Sequence, residues 1–319
     1  MADGIEIPPI RWLFGRPEQR RPALQYWVRD TAQGLLNTAI HEGLKALPID
    51  ACSALGAVMG KIASHRYPAS DARARRAWCA LRPEQSDPAA LDAAMHRLWV
   101  GIGRTMAEFS VLNRLWPAGR IAVEGLEHME AARAANRPII GLWLHLGNWE
   151  VIGLTCLATG YPGTSISTRR PNRFDDRLAV RARKRYGGKM IWTGPGAMRS
   201  AARVLKKTKG GVAIFVDGTD EGPVAAPAFG RTLRTDNIVA FVARLARITN
   251  AIIIPAYCLR IGGRAHFKVT FCPEIELVRD GDDDAALLTN VSRINAVIEP
   301  IVLAHLDQWI ALVGLSLDA

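Results

Sequence analysis

The decapeptide Gly141-Leu-Trp-Leu-His-Leu-Gly-Asn-Trp-Glu150 holds the residues best suited to chemistry in this chain. Histidine as a residue type supplies a base for chemistry near neutral pH, here His145, and Glu150, five positions on, is a carboxylate able to orient and charge-stabilise an imidazole. Such a pair removes a proton from an alcohol as the alcohol attacks an acyl carbon. On one continuous helix, at roughly 100° per residue, residues five apart lie about 140° from each other, so the two groups meet only across a bend. The local sequence supplies one. Ile139 to Leu144 is an apolar run of strand length, Gly147-Asn148 suits a tight turn, and Val151, Ile152, Leu154 and Leu157 recur at helical spacing. The stretch reads strand, turn, helix; the competing reading is a histidine satisfied structurally at a strand end.

His145-Leu-Gly-Asn-Trp-Glu150 resembles the H-x-G-N-W-E box of the bacterial lipid A late acyltransferases of lauroyl and myristoyl type, within the wider His-x4-Asp/Glu acyltransferase superfamily. Thr168-Arg-Arg-Pro-Asn172 resembles the family's Arg-Pro-x-Asn element, which makes Arg170 the counterpart of its essential arginine, with Arg169 sharing the task. A guanidinium suits that role because it forks onto phosphate or steadies an oxyanion. Val212 to Val216 runs into Asp217-Gly218, where the family reads Asp-Gln; the Asp is kept and the Gln is not. Gly103-Arg104 and Glu108 are similar to the family's segment ahead of its catalytic domain, and Phe229-Gly230 to a Phe-Gly that shapes the site wall. Gln308-Trp309 matches a Gln-Trp, but the aromatic and basic residues that follow it in the family are replaced by Ile310 to Ala319. The likeness covers roughly residues 24 to 310.

The resemblance implies transfer of a fatty acyl chain from acyl-carrier protein or acyl-CoA to a hydroxyl of a glycolipid. A lipid A precursor is the expected acceptor, and another glycolipid or a phospholipid the alternative. Glu150 would hold His145, His145 would deprotonate the acceptor, and Arg170, Arg169, Asn148 and Asp217 would bind substrate. Backbone amides near Gly147 and Asn148 would steady negative charge. No metal and no cofactor is expected, since a thioester is already activated. The expected location is the cytoplasmic face of the bacterial inner membrane, peripheral or monotopic.

At 319 residues, 49% hydrophobic and 22% charged, the chain can bury a large core and is not disordered. A net charge of +11 calls for an anionic partner, and nucleic acid, an anionic membrane and an acidic carrier protein all fit. The basic run Arg73, Arg75, Arg76 and Arg82 around Trp78 reads as a solvated helix face, with no nucleic-acid motif beside it. A polyanion-binding module explains the charge and leaves the box unexplained. A metal hydrolase using His145 and Glu150 lacks a second histidine at ligand spacing. The five cysteines are widely spaced, with no C-x-x-C pair, which argues for a reducing setting. The N-terminus lacks the apolar core of a secretory signal, and Val151 to Thr168 does not read as a membrane span, so membrane contact is expected to be interfacial.

The elements that must position these groups fall into two blocks, 1–119 and 120–319, joined at Pro117-Ala-Gly119. The first holds a loose basic arm, a helix over Leu24 to Leu47, and a second helix capped by Asp50 with Leu55, Val58, Met59 and Ile62 as its apolar positions. These helices either pack on the core or lie in a membrane interface, with Lys45, Lys61, His65 and Arg66 near headgroups. A third amphipathic pattern covers residues 88 to 116. The second block alternates strands (Ile139 to Leu144, Thr164 to Thr168, Lys189 to Trp192, Val212 to Val216, Ala251 to Tyr257) with helical patterns. His266 to Cys272 is a further strand able to pair antiparallel, and a last helix, Asp284 to Leu306, follows the acidic run Asp282-Asp283-Asp284. The expected fold is α/β, a mixed, mostly parallel sheet flanked by helices, glycerolipid acyltransferase-like, behind an N-terminal amphipathic helical region.

Overall fold

A computed structural model of the chain describes residues 7–185, 187–208, 211–218, 225–279 and 284–317. Five helices come first: α1 (Pro17–Leu24), α2 (Asp30–Lys45), α3 (Ile49–Arg66), α4 (Pro68–Leu81) and α5 (Pro88–Glu108). Pro17, Pro68 and Pro88 sit in first turns, where a missing N–H costs nothing. Asp87 caps α5 by accepting from the Ala90 amide.

Helix α3 turns its apolar stripe outward. Leu55, Val58, Met59 and Ile62 are 44%, 52%, 38% and 64% exposed, whereas Cys52, Ser53, Gly56, Ala57 and Gly60 are buried. The reason is the crossing with α5. A Cβ on Gly60 would lie 2.1 Å from the Trp99 carbonyl oxygen, and one on Gly103 would lie 2.2 Å from that of Gly56. The two backbones touch, so the small-residue face must go in and the larger apolar residues are left outside. Trp78, Met95 and Leu98 share one core cluster with Ile140, Leu142, Val212 and Ile214. Helices that precede residue 119 thus complete the core of the sheet that follows it.

That sheet has seven strands: β1 (Ile121–Glu124), β2 (Ile139–Trp143), β3 (Gly163–Ser167), β4 (Lys189–Trp192), β5 (Gly211–Phe215), β6 (Ile252–Arg260) and β7 (Phe267–Phe271). Interleaved with them are α6 (Leu126–Ala134), α7 (Glu150–Ala158), α8 (Arg173–Arg185), α9 (Ala197–Thr208), α10 (Ile238–Thr249) and α11 (Asp284–Ala304). The strand order is β1-β7-β6-β2-β5-β3-β4, and every pairing is parallel except β6 with β7. The expected mixed, mostly parallel α/β architecture is what forms. β1, a four-residue edge strand beside β7, has no counterpart in the sequence reading. Asp282 and Asp283 lie outside the described residues, as do Asp220 and Glu221.

Because side chains alternate along a strand, β2 and β5 send Ile140, Leu142, Val212 and Ile214 into the core shared with α4, α5, α9, α10 and α11. Ile139, Gly141, Trp143, Gly211, Ala213 and Phe215 face the opposite side, toward α7. Helix α11 has the length and apolar composition to cross a bilayer, but Leu287, Val291, Ile294, Ile298 and Val302 form a stripe buried in the core.

Candidate active site

Strand register brings the two central residues together. β2 and β5 pair with Ile139 opposite Gly211 and Trp143 opposite Phe215; two residues beyond those ends, the same offset sets His145 opposite Asp217. One Asp217 oxygen, Oδ1, accepts from His145 Nδ1 at 2.8 Å. The other, Oδ2, accepts from the His145 backbone N–H at 2.8 Å and from Trp309 Nε1 at 2.7 Å. An ionised carboxylate can only accept, so Nδ1 carries a proton, and in the neutral imidazole Nε2 is then the nitrogen with the free lone pair. Asp217 is fully buried and the imidazole is 19% exposed, so its edge reaches solvent while its partner does not. The ring stacks on Phe215 at 4.1 Å and meets Trp149 edge-on at 5.2 Å.

The chain past His145 is fixed by the C-terminal Gln-Trp. Leu146 bridges Trp309, the Gly147 amide donates to the Gln308 carbonyl at 2.9 Å, and the Ile310 amide donates to the His145 carbonyl at 3.3 Å. Gly147 turns with φ +52°, and a Cβ there would lie 2.6 Å from the Cys258 carbonyl oxygen, so the turn needs glycine on both counts. These contacts correct two expectations. The Gly147 amide is spent on Gln308, so it is not offered to an oxyanion. Asn148 is fully buried and its Nδ2 donates to Glu108 at 3.0 Å; it belongs to the scaffold and does not face a substrate. Both Glu108 oxygens in turn accept from Arg260 at 2.7 Å, and this buried ion pair anchors the turn from behind.

Glu150 requires the larger correction. It opens α7, is nearly buried, and takes Arg183 of α8 with both oxygens, Oε1 at 2.5 Å from Nη2 and Oε2 at 3.2 Å from Nε. The carboxylate that meets His145 Nδ1 is Asp217, not Glu150. The bend at Gly147-Asn148 that ends the strand aims the first residue of α7 toward α8, while the neighbouring strand has already delivered Asp217 beside the ring.

Arg169 stacks its guanidinium over Trp192 at 3.6 Å and pairs with Asp176 at 2.8 Å. Arg170 is exposed and its backbone N–H is held by Asp176 at 3.2 Å. Asn172 caps α8, its Oδ1 accepting from Phe174 N at 2.9 Å. The cap and the acidic anchor fix the backbone and leave the Arg170 side chain in solvent. Trp309, matched in the sequence only as part of a Gln-Trp pair, is brought by the fold to Asp217, a contact that no local sequence signal carries. Phe229, from the Phe-Gly element, packs edge-on against the Trp309 ring at 5.6 Å.

Two adjoining cavities run along the small-residue face of the sheet. The first touches Trp149, Glu150, Phe215 and Arg183, the second reaches Ile139, Gly211 and Ile254, and both include Trp143, Cys156, Pro162, Gly163 and Ala213. The second has a volume of about 310 Å³ and is bordered by Arg133 and Arg137 at its far end. Gly141, Gly163, Gly211 and Ala213 leave this trough open where larger side chains would fill it. From Ile139 to Trp143 it spans roughly 13 Å at about 3.3 Å per residue. Its upper wall, Phe215 and Trp149, is formed by the two rings that flank His145.

A histidine base backed by a buried aspartate, set where parallel strands end and above an apolar trough, defines a class of α/β site equipped to deprotonate a hydroxyl beside a long hydrocarbon. The chain belongs to the bacterial lipid A biosynthesis acyltransferase family, whose sequence model matches residues 20–314. It is also similar to a lipid A biosynthesis acyltransferase of Haemophilus influenzae, with 24% identity over 218 residues. That match spans 68% of this chain and 64% of the relative, a little under two thirds of the relative's length.

Proposed function

We propose that the protein is an acyltransferase that moves a fatty acyl chain from an acyl-carrier protein or CoA thioester to a hydroxyl of a lipid A precursor at a membrane surface. The observation that carries this reading is the bond between Asp217 and His145 Nδ1, which turns Nε2 away from the carboxylate, beside an apolar trough. His145 Nε2 takes the proton of the acceptor hydroxyl as its oxygen attacks the thioester carbon. Asp217 holds the ring in that tautomer and stabilises the imidazolium that forms. The thiol leaves with the proton returned from His145, and the hydrocarbon lies along Gly141, Ala213 and Trp143. The Glu150–Arg183 pair walls the upper end of the trough. Arg170, exposed on its turn, is available to a phosphate of the acceptor.

Exposed apolar side chains concentrate in the N-terminal helices, with Phe14, Leu35, Leu36, Leu55, Val58 and Ile62 all turned to solvent. Together with the basic surface they support interfacial attachment to anionic lipid. Deleting residues 1–66 would strip Gly56 and Gly60 from α5 and damage the fold, so surface changes such as Leu36→Ser with Ile62→Ser are the informative ones.

The test of the activity is incubation of the purified protein with acyl-carrier-protein and CoA thioesters and a lipid A precursor, with the product read by mass. A single added acyl group is expected, and His145→Ala should reduce its formation by about 10²–10⁴-fold with the fold retained by circular dichroism. No product from either donor, or near wild-type turnover in His145→Ala, would overturn the reading.

A further inference from the structure

Helices α2 and α8 touch at one end and part at the other. Phe174 closes over Gly34, where a Cβ would lie 2.4 Å from the Phe174 Cβ, and Asn37 donates to Asp175 at 3.0 Å. Beyond that contact a cleft of about 300 Å³ opens between them. Its floor is apolar, with Leu35, Phe174 and Leu178. Its rim is cationic, with Lys45 from α2 and Arg177, Arg181 and Arg185 spaced four apart along one face of α8. Among the described lining residues the one carboxylate, Glu42, is taken by Lys45 at 2.5 Å. Among the described residues, the Arg177 and Arg181 side chains have no hydrogen bond or ion pair. Like charges at this spacing repel one another, and a bound anion would relieve the repulsion.

We infer that this cleft binds the phosphate headgroup of an anionic membrane phospholipid. Guanidinium groups fork onto phosphate oxygens, and three on one helix face suit an anion lying along the rim. A lipid fits better than a free anion because the floor is apolar and continues outward. Leu35 at the cleft edge is 56% exposed and leads to the exposed Leu36 and Ile40 on the same helix, giving acyl chains a surface beside the headgroup. The cleft shares no lining residue with the trough beside His145. The inference rests on the membrane-surface part of the proposed function and does not depend on acyl transfer.

The test is sedimentation of the full-length protein with phosphatidylcholine vesicles and with vesicles containing phosphatidylglycerol, at one ionic strength. Wild type is compared with Arg177→Gln/Arg181→Gln and with Arg199→Gln/Arg203→Gln, two exposed arginines of α9 that remove the same charge elsewhere. Wild type should favour the anionic vesicles. The α8 variant should lose about 30-fold of that binding, at about fivefold per cation at an anionic surface, and the α9 variant much less. Equal losses in the two variants, or no loss in either, would overturn the cleft while leaving the membrane reading intact. Retained vesicle binding with lost binding of an acidic carrier protein would assign the cleft to the donor and overturn the lipid. Wild type that pelleted with neither vesicle would overturn the membrane reading and the cleft together.

Discussion

Asp217 receives two hydrogen bonds from His145, one from the backbone N–H to Oδ2 and one from Nδ1 to Oδ1, both at 2.8 Å. The double contact follows from adjacent parallel strands in fixed register, so the ring is held relative to the sheet itself and not to a mobile loop. The third donor to Asp217, Trp309 Nε1, leaves the buried carboxylate with its charge satisfied by three N–H groups.

Trp309→Phe removes that third donor and keeps most of the ring packed against Phe229. A hydrogen bond to a charged group contributes about 1.5–3 kcal/mol. We expect kcat to fall by about tenfold or more with KM little changed, because the loss acts through Asp217 on the base. Steady-state kinetics with saturating donor check this, and a wild-type kcat would remove Trp309 from the catalytic support.

Gly141 sets the width of the trough. A Cβ there would lie 2.6 Å from Trp143 Nε1, so Gly141→Ala adds a methyl to the wall of the trough and must shift the indole that shares that wall. The expected outcome is a shift of the transferred acyl group toward shorter chains, with turnover on short donors retained. Mass analysis of products from a mixed donor pool measures it, and an unchanged chain-length distribution would contradict the trough as the acyl site.

The fold class and the strands were largely legible in the sequence, because apolar runs of strand length punctuated by Gly and Pro carry a strong local signal. The pairing of the base was not. His145 and Glu150 are close in sequence and Asp217 is 72 positions from His145, yet strand register, a long-range property, decides which carboxylate lies beside the imidazole. The sequence marks Asp217 as a substrate-binding residue and Glu150 as the holder of His145, whereas register gives the second task to Asp217. Helix α3 shows a second limit: its periodicity gave the apolar stripe correctly, and only the glycine contact with α5 determines that the stripe faces out. β1 carries little signal of its own because it is only four residues long, Ile121–Glu124, and it is specified by its neighbour β7.

Burial, with the charge of Lys45 second, lowers His41 from 6.5 to about 4, where its Nδ1 lies 2.8 Å from Ser110 Oγ. The folded state holds this imidazole neutral while the unfolded chain binds a proton below pH 6.5 or so. Its contribution to stability is therefore complete above about pH 6.5 and declines as pH falls toward about 4. His41→Gln removes the titration, so the melting temperature should fall less between pH 7 and 4.5 in the variant than in wild type, by scanning calorimetry at matched ionic strength. Parallel acid curves would show that His41 does not carry this dependence.

The most direct test of the account is the pH dependence of kcat/KM for acyl transfer in Asp217→Asn and Glu150→Gln beside wild type. An amide at 217 no longer enforces the tautomer with Nδ1 protonated and cannot stabilise the imidazolium. We predict a loss of about 10⁴-fold, with the acidic limb set by His145 displaced or abolished. Glu150→Gln breaks the bond pattern with Arg183 but leaves the His145–Asp217 pair in place, so its activity should fall less and its acidic limb should stay where it is in wild type. The opposite pattern, an unmoved limb in Asp217→Asn and a displaced one in Glu150→Gln, would contradict the assignment of Asp217 as the partner of the base.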